Sequence, residues 1–235
     1  MRKLPKILCV AVLFCLATVT SAYAAVIFSH NDFEQTHYTT WVGQVVFSGA
    51  GITLTPDATQ HKAFIENINT TLSGSKAYCY YSISPTYTSD TVEQTFELFL
   101  KQGSTSINIQ LVYYPTNTYK LRLNVNDTAV GTASLASIPN EGIIGWDGAV
   151  AYLYSTSGSE IAQITAASVD GVLYHYGFVS YYESVKLNTY VLTDDLTTAQ
   201  TQGLTESTAD IVTGFIPLLI ALAMIGVCLS FIKKL

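Results

Sequence analysis

Cysteine, basic residues and helical periodicity are all scarce in this chain, and each shortage excludes something. Of the four cysteines, Cys9 and Cys15 fall in an apolar run near the N-terminus and Cys228 in another near the C-terminus. Only Cys79 lies between them. No intrachain disulfide can staple the middle of the chain, so its stability has to come from a buried core. Roughly 170 residues are enough for that. Cys79 sits in the strand-like run AYCYYSIS and reads as a small buried hydrophobe, not a nucleophile.

Lysine and arginine number 11 against 17 acidic residues. Five of the basic residues (Arg2, Lys3, Lys6, Lys233 and Lys234) stand at the two ends, while every acidic residue lies between Ala25 and Asp210. The middle therefore carries six basic and 17 acidic residues, a net charge of −11. A field of that sign repels phosphate backbones and anionic lipid, which argues against nucleic acid as a partner. The sequence also lacks a Gly-x-Ser-x-Gly turn, a phosphate loop and any paired-histidine spacing. His30 and His37 have no second cluster to share a metal with and read as surface residues.

What the chain does have begins at its ends. MRKLPK, then ILCVAVLFCLATV, then TSAYA is a basic start, a short apolar run and an Ala-x-Ala ending, the pattern of a secretory signal peptide cleaved after Ala24. Ile211 to Ile232 contains no charge, and at the helical rise it spans about 33 Å, enough for a hydrocarbon core of about 30 Å. Lys233 and Lys234 follow at once and place the C-terminus in the cytoplasm and the rest outside. The anchor is similar in composition to the C-terminal anchors of archaeal surface proteins. The expected division is a signal peptide over 1–24, an ectodomain over 25–196, a Thr/Ser-rich linker over 197–210, a transmembrane helix over 211–232 and a cytoplasmic tail over 233–235. The lipid bilayer is then one partner, and the N-terminal domain is extracellular.

Between the ends, period-two alternation predicts half-buried strands. SINIQLVYY sets Ile107, Ile109 and Leu111 against Asn108 and Gln110, and YKLRLNVN sets Leu121, Leu123 and Val125 against Lys120, Arg122 and Asn124. TVEQTFELFLK puts Glu93, Thr95 and Glu97 on an expected solvated face. Further strands are expected at QVVFS, GITLT, KAFIEN, AYCYYSIS, GAVAYLY, VLYHYGFVSYYESV and TYVLT, with turns at SGAG, LSGS, YPTNT, IPNEG and SVDG. A dozen short strands without helices between them predict an all-β domain, an antiparallel β-sandwich or jelly roll, followed by one C-terminal transmembrane helix.

The order of motifs resembles the concanavalin A-like, laminin G-like jelly-roll domains. Asn31-Asp32-Phe33-Glu34 followed by Trp41 is similar to the family's first-strand signature. Gly49-Ala50-Gly51-Ile52-Thr53-Leu54, Ser73-Gly74-Ser75-Lys76-Ala77-Tyr78, the long strand from Val92 to Lys101 and the closing Asp194-Asp195-Leu196 follow in the family's order. The resemblance covers residues 26–196. It implies that the first and last strands pair, which would bring Asp32 and Glu34 near Asp194 and Asp195 as a structural Ca²⁺ site; the alternative is that Phe33 and Trp41 are core anchors and these acids are solvated strand ends.

Three functions stay open. Some members of the class cleave β-glucans with a Glu-x-Asp-x-Glu strand motif. Here Glu93 and Glu97 keep the spacing, but Thr95 stands where the central aspartate would be, so catalysis is not expected. Tyrosine is abundant: 15 of the 16 lie beyond the signal sequence, several as the pairs Tyr80-Tyr81, Tyr113-Tyr114 and Tyr181-Tyr182. Neighbours on a strand point to opposite faces, so one of each pair is expected outside. Tyr114, Tyr181 and Tyr182 are candidate ligand-binding residues, because aromatic faces with hydroxyl tips suit sugars. Asn69 and Asn126 head N-glycosylation sequons. The expected role is a membrane-anchored recognition protein of the cell surface, for glycans or for attachment to surface proteins. The alternatives are a structural coat or envelope component of a cell or virus, and an extracellular glycan-cleaving enzyme.

Overall fold

The computed structural model describes residues 26–29, 35–48, 51–67, 74–86, 91–116 and 118–201. The proposed signal peptide, Asp32, Glu34, Asn69 and the transmembrane segment lie outside them. Among the described residues no helix is long and apolar enough to cross a membrane.

Two antiparallel sheets face each other. One holds β1 (Val26–Ser29), β3 (Gln44–Ser48), β4 (Gly51–Thr55), β6 (Ala77–Thr86), β11 (Glu141–Trp146), β12 (Val150–Tyr154), β13 (Glu160–Thr165) and β15 (Ser184–Thr193). Its order is β13-β12-β11-β6-β15-β4-β3, with β1 added against β15. The other holds β2 (Tyr38–Val42), β5 (Lys62–Asn67), β7 (Gln94–Gln102), β8 (Thr105–Tyr114), β9 (Thr118–Val125), β10 (Thr128–Leu135) and β14 (Leu173–Tyr181), in the order β10-β9-β8-β7-β14-β5-β2. The first and last strands pair, Val26 opposite Thr193.

The alternation places the core. Ile107, Ile109, Leu111, Leu121 and Leu123 meet Ile52, Leu54, Ile144 and Leu187 of the facing sheet, all of them buried. Cys79 is buried too, and burial pushes its thiol up, out of the reactive range. Two polar ties cross the interlayer. Trp146 Nε1 donates to Gln102 Oε1 at 2.7 Å, and Gln102 Nε2 donates to the carbonyls of Val169 and Gly171 at 2.8 and 2.9 Å. Tyr190 of one sheet shares a hydroxyl cluster with Tyr38 and Tyr176 of the other, the Tyr176–Tyr190 contact being 2.6 Å.

Some elements differ from those expected. VLYHYGFVSYYESV is two strands, broken where Tyr182 takes a positive φ of 60° and its N–H donates to the His61 carbonyl. The strand EGIIGW is not among those expected; its first two residues belong to the expected turn IPNEG. Its Gly145 is needed for close packing, since a Cβ there would lie 2.8 Å from Tyr78. Residues 196–201, at the start of the expected linker, are helical. Asp195 caps this turn, accepting from Thr198 N at 2.8 Å. Ala199 is packed with Tyr80, Ile143 and Val191 on the outer face of the eight-stranded sheet. Tyr80 and Tyr81 are therefore both buried, and the expectation that one of them faces out is corrected: the helical turn covers the outer one.

Two predictions follow from this core. Trp146→Ala should cost about 3–5 kcal/mol, because it removes a fully buried ring and orphans Gln102 Oε1. Trp146→Phe should cost less, about 1–3 kcal/mol for the unpaired acceptor, and urea unfolding measures both. The second concerns Glu183, which is buried with Oε2 unpartnered among the described residues, and whose carboxyl desolvation raises to about 8. A raised value means that the folded state holds a proton the unfolded state has released. Its stability contribution is full below the ordinary carboxylate range and is lost as pH rises through about 8. The melting temperature should fall between pH 5 and 9, and Glu183→Gln should make that fall shallower. Parallel curves for the two proteins would remove Glu183 from the account.

Candidate functional site

The strand pairings that fill the core also decide what stands on the outer face of the seven-stranded sheet. Outward on β7 are Thr95, Glu97, Phe99 and Lys101, and beside them on β8 and β9 stand Asn108, Gln110, Lys120, Arg122 and Asn124. On the other side β14 presents His175, Gly177 and Tyr181, and β5 presents Lys62, Phe64 and Glu66. Four of the six basic residues of the acidic middle segment are on this face.

The middle of the face is not the solvated surface that the alternation implied. Glu97 and Thr95 are buried, at 0% and 2% exposure. Asn108 Nδ2 and Gln110 Nε2 donate to the two Glu97 oxygens at 2.5 and 2.6 Å. Arg122 Nε donates to Gln110 Oε1, and its guanidinium pairs with Glu93. Burial holds the Glu97 carboxyl above its ordinary range against the opposing pull of those two amides and of Lys62. Polar side chains from neighbouring strands thus cover one another. Thr95 Oγ1, Asn108 Oδ1 and Asn124 Oδ1 are left buried without a partner among the described residues.

At the β2 edge the face opens. Trp41 is 57% exposed, so its assignment to the core is overturned. Tyr38, three residues earlier and on the opposite face of the same strand, takes the core position instead. The exposed ring is nevertheless held. Its Nε1 donates to Glu66 Oε2 at 3.0 Å, and it stacks on Phe64 with centroids 6.5 Å apart and planes 23° from parallel. Phe64 meets Phe99 edge-on at 5.2 Å, and Lys62 Nζ lies 5.0 Å from the Phe64 centroid and 5.3 Å from that of Tyr181. The second Glu66 oxygen contacts His175 Nδ1 at 3.0 Å. Gly177 makes room for this packing, since a Cβ there would fall 2.3 Å from the Ile65 carbonyl and 3.1 Å from the Phe64 ring. The result is a fixed flat aromatic surface beside a carboxylate, an imidazole and an ammonium. It can stack a ring and hydrogen-bond the substituents at its edge.

The residues singled out from sequence fall in several places. Tyr181 stands outward on the same face, half-buried. Tyr114 is outward and half-buried, with Lys120 Nζ 4.9 Å above its ring. Tyr113 points to the core side and is also half-buried, its ring 5.6 Å from that of Tyr119. The register read for this strand holds, but both tyrosines stand at its end, where neither face is fully open or closed. Tyr182 is 43% exposed in the β14–β15 turn and stacks on His61 at 4.6 Å. Asp194 and Asp195 are exposed after β15, and Asp195 Oδ2 is occupied by Thr198. Asp32 and Glu34 lie outside the described residues. Among the described residues no group of three or more His, Cys, Asp or Glu is arranged to hold a metal ion. Asn126 is exposed in the β9–β10 turn. The sequence reading missed Phe64, Glu66 and His175. The signal for two of them was there, since the alternation in KAFIEN sets Lys62, Phe64 and Glu66 opposite Ala63 and Ile65.

No protein-family model and no curated protein matches the sequence. Solved structures match the fold. The carbohydrate recognition domain of Emp47p is 12% identical, with a TM-score of 0.52 over 74% of this chain and 99% of that one. The exoplasmic/lumenal domain of VIP36 in a Ca²⁺- and Man₃GlcNAc-bound form is 10% identical, with a TM-score of 0.51 over 70% and 86%. The Crh5 transglycosylase is 10% identical, with a TM-score of 0.53 over 73% and 85%. At these identities the likeness is one of fold: the two-sheet antiparallel sandwich is similar to the concanavalin A-like sandwiches of these domains.

Proposed function

We propose that this is an exported, membrane-anchored protein whose sandwich recognises glycans through the outer face of its seven-stranded sheet, with Trp41 as the platform. The carrying observation is the exposed Trp41 ring fixed by Glu66 and Phe64. Tryptophan is highly buried on average, and here one is held flat at the surface by a hydrogen bond and a stack. Sugar rings offer apolar C–H faces to such a surface, and their hydroxyls suit the half-buried His175 and Lys62, while Glu66, buried with both oxygens engaged by Trp41 and His175, holds the platform in place. Two structures of the same fold are a carbohydrate recognition domain and an oligosaccharide-bound domain, which agrees with the reading. The apolar segment 211–232 anchors the domain in the bilayer, with the sandwich outside.

The same face supports binding without catalysis. Glu93 is paired with Arg122, both Glu97 oxygens are engaged by amides, and the residue between them on the strand face is Thr95. A retaining pair needs one carboxylate ready to attack and one acid ready to donate. The unmodified protein should therefore release no reducing sugar from β-glucans. Release that Glu97→Gln abolishes would make the protein an enzyme.

The binding test is a glycan array with the ectodomain. Trp41→Ala should weaken the bound glycan by about tenfold, the loss of one stacking contact. Its melting temperature should stay nearly unchanged, because the ring lies mostly in solvent. Binding unaffected by this change would move the site elsewhere. An array on which the unmodified protein binds nothing would favour the structural-coat alternative.

A further inference from the structure

The β9–β10 turn carries the sequon Asn126-Asp127-Thr128, all three residues exposed. Asn126 and Asp127 both have positive φ, 50° and 59°, which makes this a tight two-residue hairpin turn that Asn and Asp tolerate. Asn126 Oδ1 accepts from the Ser106 N–H at 3.0 Å, which fixes the side chain. Its Nδ2 donates to no group among the described residues. Asn126 also lines a depression of about 310 Å³, at the small end of ligand-pocket sizes. Val125, Val130 and Val169 give the depression an apolar wall, and Thr105, Ser168 and Asp170 give it hydroxyl and carboxylate oxygens. Val130, a branched apolar side chain, is 42% exposed.

We propose that Asn126 is an N-glycan attachment site and that the first sugar of the glycan rests in this depression. The chemistry requires export, which the N-terminal segment implies, and is independent of the Trp41 reading. The co-reactant is a lipid diphosphate-linked oligosaccharide. Asn126 Nδ2 forms a bond to the anomeric carbon of the sugar, the bond from that carbon to the diphosphate oxygen breaks, Nδ2 loses one proton, and the lipid diphosphate leaves. The turn presents Nδ2 to a transferase from a rigid hairpin instead of from a strand face. Once attached, an acetylated amino sugar can lay its methyl group on the valines and turn its hydroxyls to Ser168, Thr105 and Asp170.

The test uses the full chain made in an N-glycosylating eukaryotic secretory host, in an Asn69→Gln background so that one sequon is read. Peptide mapping should find glycan on Asn126, and Thr128→Ala should abolish it. The protein trimmed to a single N-acetylglucosamine should melt about 2–4 °C above the same chain made without glycan in a host that does not N-glycosylate. Val130→Asp, which leaves the sequon intact, should keep the modification and lose that difference. An unmodified Asn126 overturns the site. Equal melting of the trimmed and unglycosylated forms, or a difference that survives Val130→Asp, overturns the seat in the depression.

Discussion

Two sheets without a disulfide between them must be kept in register by what lies in the interlayer, and the hydroxyl cluster of Tyr38, Tyr176 and Tyr190 does this. Tyr190 comes from one sheet, and Tyr38 and Tyr176 from the other. Asn67 Nδ2 adds a donor to the Tyr176 oxygen at 3.1 Å. All four groups are buried, and burial lifts the Tyr176 and Tyr190 phenols far above their ordinary range, so they stay neutral. A buried hydroxyl left without a partner costs about 1–3 kcal/mol. Sliding one sheet over the other would strand several at once. The same strands carry the surface site. β2 turns Tyr38 in and Trp41 out, β5 turns Asn67 in and Glu66 out, and β14 turns Tyr176 in and Gly177 out. The interlayer cluster thus fixes the strands whose other side forms the platform.

How far the sequence could be read follows from the range of the forces involved. Alternation is local, so Ile107, Ile109 and Leu111 were placed correctly from ten residues of sequence. The order of short motifs was enough to indicate the fold and the pairing of the first strand with the last. What was misread depends on neighbours distant in sequence. Glu97 on its strand looks like one of a row of solvated acids. Its burial comes from Asn108 and Gln110 of the next strand and Arg122 of the one beyond, a set that only the sheet brings together. Trp41 is expected in the core as an anchor of the first-strand signature, although Tyr38 three residues away on the same strand must face the other way, and only one of them could be inside. The bulge between Thr40 and Val42 that accompanies this exposure has no signature in the sequence. Tyr80 looked half-exposed because the helical turn over it follows more than a hundred residues later.

The two outer faces of the sandwich have different fates. On the eight-stranded sheet, Tyr80, Ile143 and Val191 are closed over by Ala199. On the seven-stranded sheet the centre is sealed by its own polar side chains, and the edge is left open at Trp41. The helical turn over residues 196–201 therefore lies on the eight-stranded side, opposite the Trp41 face. The platform itself is cheap to use. An indole has two side-chain torsions, and one already held by Glu66 and Phe64 loses little freedom when a ring settles on it. The polar groups around it are likewise held in place, since Glu66 binds both Trp41 and His175. A site with its aromatic surface and its carboxylate fixed before the ligand arrives spends its contact energy on affinity rather than on ordering itself.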